Sequence, residues 1–218
     1  MGEHSAPAVG ARIREERTRR GISVRGLARE VGVSASLISQ IETNKSRPSV
    51  STLYAITAAL SLPIEQLFDA PPADVAITPA PAKTLPPASG TGPALRLVGQ
   101  DRGRRVGPHV QPSERELLAL GTGVTWERLG QVPGTYVDFL LITYQPGGTS
   151  SSRGELMRHA GTEHGYVISG ELVLTLGFEE HRLVAGDSVC FDSTTPHAYR
   201  NEGAEPAIGV WFVQGREG

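Results

Sequence analysis

Residues 23–47 read Ser-Val-Arg-Gly-Leu-Ala-Arg-Glu-Val-Gly-Val-Ser-Ala-Ser-Leu-Ile-Ser-Gln-Ile-Glu-Thr-Asn-Lys-Ser-Arg. Their apolar positions fall into two short helical sets, Leu27-Ala28-Val31 and Leu37-Ile38-Ile41, separated by Gly32-Val33-Ser34. Ser23 and Ser34 stand just ahead of each set, where a hydroxyl accepts from an unpaired N–H of the first turn. Gly32 closes the first set, because glycine enters the left-handed region without a Cβ penalty. Asn44 occupies the stop of the second, a role it tolerates better than most residues. The spacing predicts helices over 24–31 and 35–43 joined by a three-residue turn, which is helix-turn-helix geometry.

Working outward, Val9–Arg20 sets Val9, Ala11 and Ile13 against a polar face of Arg12, Arg14, Glu15, Glu16, Arg17, Arg19 and Arg20, and Gly21 ends it. The two glutamates partly balance these arginines, which reads as a solvated face. A fourth helix starts at Ser49 or Val50 and runs through Leu60, burying Leu53, Ile56 and Leu60. Pro63 suits the first turn of a fifth helix ending near Phe68. Gly26 sits in a helix interior, at a cost of about 1 kcal/mol relative to alanine.

The chain has 218 residues and a formal net charge of −2, which on its face excludes a generic polybasic nucleic-acid binder. Counted by segment, residues 1–50 carry nine Lys/Arg against five Asp/Glu, whereas residues 71–218 carry twelve against sixteen. A basic head therefore sits on an acidic body. Between them, residues 71–93 hold Pro71, Pro72, Pro79, Pro81, Pro86, Pro87 and Pro93. Such a stretch cannot propagate a helix and reads as a semi-rigid linker, whose length argues against tight mechanical coupling. The organisation expected is a head over 1–70, a linker over 71–94 and a body over 95–218 with its core about 120–214.

The body alternates as short strands do, in Tyr136–Tyr144, Glu171–Leu176, Ser188–Phe191 and Ile208–Val213. Close spacing and intervening turns suggest an antiparallel barrel or sandwich. The chain's 26 Gly and 16 Pro exceed the average combined usage of about 12% and go to the linker and to turns. The single Cys190 cannot form an internal disulfide, no apolar run approaches the roughly 18–20 residues of a membrane span, and the first residues lack a signal-peptide pattern. A cytoplasmic protein with no membrane association is expected.

Leu27-Ala28, Gly32-Val33-Ser34, Ile38-Ser39-Gln40-Ile41-Glu42, Arg47-Pro48-Ser49 and Leu53 through Ala59-Leu60 together resemble the Cro/cI-repressor (XRE) family of DNA-binding domains over residues 9–68. The resemblance implies a five-helix lambda-repressor-like fold. It places Arg25, Ser34, Ala35, Ser36, Ser39, Gln40, Lys45 and Arg47 at double-stranded DNA. Small polar residues near the start of a recognition helix allow close approach in the major groove, and Gln40 has the geometry for a bidentate contact to adenine. Lys45, Arg47 and Arg25 suit phosphates. Val24 departs from the family, which often carries a glutamine there.

In the body, His159-Ala-Gly-Thr-Glu163 with Gly165-Tyr-Val-Ile-Ser-Gly170-Glu-Leu resembles the first cupin motif. Ala185-Gly-Asp-Ser188, Phe191 and Pro196-His197-Ala-Tyr-Arg-Asn201 resemble the second. The implied fold class is a two-domain α + β chain ending in a cupin, an RmlC-like jelly-roll β-barrel. An XRE head on a cupin tail implies a ligand-sensing transcription regulator acting as a homodimer, not an enzyme. His159, Glu163 and His197 match three cupin ligand positions, and Met157 stands where the first histidine is expected. They are the candidate effector-pocket residues and the candidate ligands of a divalent metal, two imidazoles and a carboxylate forming a facial set. His109, His164 and His181 lack partners by sequence and read as surface or structural groups. The alternative is a mononuclear non-haem iron enzyme of the hydroxypropylphosphonate epoxidase type, which has a similar His-x-x-x-Glu…His set and a helix-turn-helix-like head. The Ser/Gln surface of helix three, with Lys45 and Arg47, favours the regulator.

Overall fold

Ser23, Ser34 and Ser49 each accept a hydrogen bond from a backbone N–H three residues on, of Gly26, Leu37 and Thr52 respectively. These caps start three of the five helices in the computed structural model, which describes residues 9–68, 109–132, 135 and 137–215. The helices are α1 (Val9–Arg19), α2 (Val24–Val31), α3 (Ala35–Glu42), α4 (Val50–Ala59) and α5 (Glu65–Phe68). Gly32 closes α2 in the left-handed region at φ 76°, and Asn44 follows α3 at φ 55°. Both stops fall where the sequence puts them. Ile13, Leu27, Ile38, Ile41, Leu53 and Ile56 meet in the interior of the head. Helices α1 and α3 cross closely at Gly10, where an added Cβ would lie 2.0 Å from the Ile41 carbonyl oxygen.

One arginine of α1 departs from the solvated face expected for it. Arg17 donates from Nε to Glu42 Oε1 at 2.5 Å and from Nη2 to Glu42 Oε2 at 3.0 Å, and also to the Ile22 carbonyl at 2.7 Å. The two side chains are only 12% and 5% exposed, so this bidentate pair ties α1 to the end of α3 inside the head. Its partner lies in another helix, and the period of α1 alone carries no sign of it.

The body has nine strands: β1 (Leu117–Ala119), β2 (Val124–Gly130), β3 (Val137–Tyr144), β4 (Thr162–Ser169), β5 (Glu171–Leu176), β6 (Glu179–Val184), β7 (Ser188–Asp192), β8 (His197–Arg200) and β9 (Ala207–Gln214). They pair antiparallel in a six-stranded sheet, β1-β2-β3-β9-β4-β7, and a three-stranded sheet, β6-β5-β8. The closed barrel expected from sequence is therefore a two-sheet sandwich among the described residues. No ladder there joins the edges β1 and β7 of one sheet to β6 and β8 of the other. Bulges between Arg128 and Gly130 and between Val167 and Ser169 bend the larger sheet. The segment leading into β4 covers the β8 edge through isolated bridges, Thr149 to Arg200 and Met157 to His197.

Head and sandwich touch directly, although the length of the expected linker argued against tight coupling. Buried side chains of both form one continuous cluster, from Val9 through Leu53 and Phe68 to Trp126 and Trp211. Backbone bonds cross the junction from Gly121 N–H to the Pro48 carbonyl at 2.7 Å and from Ser51 N–H to the Ser150 carbonyl at 2.9 Å. Arg153 donates to the Gly32 carbonyl at 3.2 Å, and the Arg128 guanidinium lies 4.3 Å over the Phe68 ring. Such contacts at the close of α2 and at α5 hold the head in one orientation. The linker expected over 71–94 lies outside the described residues.

Candidate nucleic-acid interface and effector site

On α3, Ser36, Ser39 and Gln40 are exposed, while Ile38 and Ile41 are buried beneath them. Ser34 is exposed but its hydroxyl caps the helix, and Ala35 is half-buried against the core. Arg25, Lys45 and Arg47 are exposed, and none forms an ion pair among the described residues. The docked sandwich leaves this surface open, because its contacts fall on Gly32, Pro48, Ser51 and Phe68 instead. What remains is a small polar helix face flanked by three uncommitted cations, suited to a groove and its phosphates.

The second site lies between the sheets. Alternation along β4 turns Glu163 inward and leaves His164 exposed. Glu163 is 3% exposed, and β8 brings His197 to 0%. His159 precedes β4, anchored by its N–H to the Ser193 carbonyl at 3.0 Å. The ligand atoms of His159, Glu163 and His197 all lie within 4.8 Å of one another. His159 Nε2 is 2.8 Å from Glu163 Oε1, Tyr199 donates to Glu163 Oε2 at 3.1 Å, and Trp211 Nε1 donates to the Tyr199 hydroxyl at 3.2 Å.

His197 is the informative member. Its Nδ1–H donates to the Thr195 carbonyl at 2.8 Å, which aims Nε2 at the cluster. Nε2 lies 3.0 Å from Glu163 Oε1 but off the line of a hydrogen bond, leaving a buried nitrogen without a hydrogen-bond partner. Burial pushes the Glu163 carboxyl up, yet His159 and His197 outweigh it and hold it at about 2. For His197, burial favours the neutral ring, and the carboxylate beside it and the Thr195 carbonyl reverse the balance, raising its pKa. A buried carboxylate kept ionised between two imidazoles suits a proton or a cation at the same point.

Met157, at the position expected for a further histidine, is 8% exposed and exchanges backbone hydrogen bonds with His197. Its side chain packs within the buried cluster. His109, His164 and His181 are exposed, as expected. Sequence reasoning misses Tyr199, Trp126, Trp211 and Tyr54. Tyr199 is within its reach, two residues beyond His197 on the same strand face. Tyr54, on α4 of the other domain, stacks on His159 with ring centroids 4.1 Å apart and planes 2° from parallel, a contact no local pattern announces.

A helix-turn-helix family model matches residues 13–67 and a cupin-domain model matches residues 140–213. The chain is 29% identical over 199 residues to the HTH-type transcriptional regulator PuuR of Escherichia coli (strain K12), covering 90% of this chain and 89% of that one. It is 25% identical over 203 residues to the HTH-type transcriptional regulator SutR of the same strain, covering 93% and 92%. Among solved structures, an HTH_3 family transcriptional regulator from Vibrio cholerae has the same fold over 96% of both chains, with a TM-score of 0.59 at 18% identity. With both modules present in that order, and with transcriptional regulators as relatives along about nine-tenths of its length, the chain belongs to the XRE-type helix-turn-helix transcriptional regulators that carry a C-terminal cupin domain.

Proposed function

We propose that this regulator reads a specific DNA sequence through α3 and senses a small molecule at the cupin cluster. Gln40 and Ser39, with Ser36, Ala35 and Ser34 allowing close approach, face base edges, while Arg25, Lys45 and Arg47 hold phosphates. The observation that carries this is the exposed face of α3 beside three cations that form no ion pair among the described residues. Two copies reading successive major grooves, with half-sites about 34–36 Å apart, make a homodimer the working assembly. We place it in the cytoplasm, where the DNA is; no helix among the described residues is long and apolar enough to cross a membrane. The functional units are residues 1–70 and 95–218, with 71–94 between them.

His159, Glu163 and His197 form the effector pocket. The same residues fit a divalent metal: two imidazole nitrogens and one carboxylate converge, and His197 Nε2 is buried with no hydrogen bond of its own. A bound ion would supply open coordination positions for an oxygen ligand of the effector. The iron-enzyme alternative rests on that donor set joined to a helix-turn-helix-like head, and regulators matching about nine-tenths of the chain favour a sensor.

A gel shift on the DNA upstream of the chain's own gene, paired with metal analysis of the purified protein, tests the reading. A salt-sensitive, sequence-selective shift is expected; stoichiometric iron with no DNA affinity overturns it. Gln40→Ala should lower discrimination against unrelated duplex by about 1–3 kcal/mol, leaving salt-dependent nonspecific binding intact. Arg47→Ala should weaken both modes and reduce the salt slope by about 1.

A further inference from the structure

Beneath α4 lies a cavity of about 20 Å³, walled by the strands of the larger sheet and by β8, and roofed by Val50 and Tyr54 of the head. That is room for about one water molecule, not for an organic ligand. The strand walls are held by continuous ladders. The roof is held by the few junction contacts and by the Tyr54 ring, stacked on His159 and edge-on to Trp126 at 6.0 Å. Beside it, a cleft of about 220 Å³ opens between α4 and residues 152–158, with Arg153, Glu155 and Arg158 among its lining. Tyr54 and Met157 line both spaces and form the partition between them. On the cavity wall, the indole N–H of Trp126 is buried without an acceptor.

We propose that the effector site belongs to both domains: Tyr54 is a gate between the interdomain cleft and the His159/Glu163/His197 cluster, and the occupant is a small planar organic anion. The two arginines outnumber the one glutamate at the entrance and favour an anion there. A carboxylate oxygen of the ligand supplies the acceptor that the Trp126 N–H lacks, and its flat body takes the place that Tyr54 holds against His159. Because the cavity is too small with Tyr54 in place, the ligand binds by lifting Tyr54, and α4 with it, off the sandwich. Occupancy and docking of the head then exclude each other, and the ligand repositions the recognition helix. This inference rests on the sensor reading above and adds the gate and the ligand class to it.

Trp126 and Trp211 are the only two tryptophans in the chain, and both line the cavity, so intrinsic fluorescence reports on it. Benzoate is the probe, with the full-length protein in every arm. Tyr54→Ala should raise acrylamide quenching at least twofold and tighten benzoate binding about tenfold, because no gate has to move. Gly121→Ala works from outside the pocket. Its added Cβ would lie 2.8 Å from the Arg47 carbonyl oxygen, pushing the head away, so quenching should rise here too. Trp126→Phe in the Tyr54→Ala background should weaken benzoate about fivefold, read from Trp211. Circular dichroism establishes that each variant is folded. Unchanged quenching and unchanged benzoate affinity in folded Tyr54→Ala and Gly121→Ala overturn the gate, and equal affinity for benzyl alcohol and benzoate overturns the anion. Either result alongside an intact gel shift leaves the regulator reading standing, whereas absence of a shift in the unaltered protein removes that reading first.

Discussion

Glu42→Ala should destabilise the head by about 3–5 kcal/mol, the range for removing one member of a buried ion pair. The cost comes from what stays behind. Arg17 is only 12% exposed at its side chain, and without Glu42 its guanidinium keeps a single acceptor, the Ile22 carbonyl. Glu42→Gln should cost nearly as much, since it preserves shape and removes the charge. Replacing both partners, as Arg17→Met with Glu42→Leu, should recover most of the loss, because desolvation of both ions is then avoided. Urea unfolding followed by the helical circular dichroism signal measures all three. A cost below about 1 kcal/mol for Glu42→Ala would show that the pair behaves as an exposed one. Glu42 is the last residue of α3, and DNA binding should fall in step with the loss of helix.

Glu163→Gln is the second large effect, and it is read in pH. The carboxyl is held at about 2 against an ordinary 4.5, equivalent to about 3 kcal/mol of stabilisation at neutral pH. A depressed carboxyl contributes above its unfolded pKa, so this stabilisation should be lost as pH falls from about 4.5 towards 2. The His197 side of the pair runs the other way. Its pKa is raised, so the contribution is complete below about 6.5 and fades as pH climbs through the folded value. The difference in unfolding free energy between the native protein and Glu163→Gln should therefore be greatest in the mildly acid range and shrink on both sides. A difference independent of pH would mean that the variant acts through packing alone.

Local signals make the head legible in the sequence alone: a serine hydroxyl ahead of each apolar set, a glycine or asparagine after it, and a three-residue turn between. Those features act within a few residues, which is why α2 and α4 fall almost where expected. The sandwich is less legible. Tyr136–Tyr144 and Glu171–Leu176 carry enough apolar residues to show, but β6, with Glu179, Glu180, His181 and Arg182 all exposed, has no buried face over those four residues to reveal it. At four residues, β8 is too short for a pattern. The site divides the same way. His159, Glu163 and His197 stand out by residue type and spacing, and they do converge. Tyr54 does not, because its partner is remote in sequence and joined to it only by docking of the domains. Arg17 escapes for the same reason, its partner lying in another helix.

The segment from Thr149 to Met157 touches three things at once. It bridges to β8 at His197, accepts the Ser51 N–H at the start of α4 through Ser150, and reaches the close of α2 through Arg153. It contains neither the residues that face DNA nor the three that form the cluster. Changes at Thr149, Ser150 and Ser151, the part of it that lines neither the cleft nor the cavity, therefore alter the balance between the protein's two states without rewriting what either site recognises. A lineage of such regulators can reset the concentration at which a gene responds through this one loop, keeping both its operator and its signal.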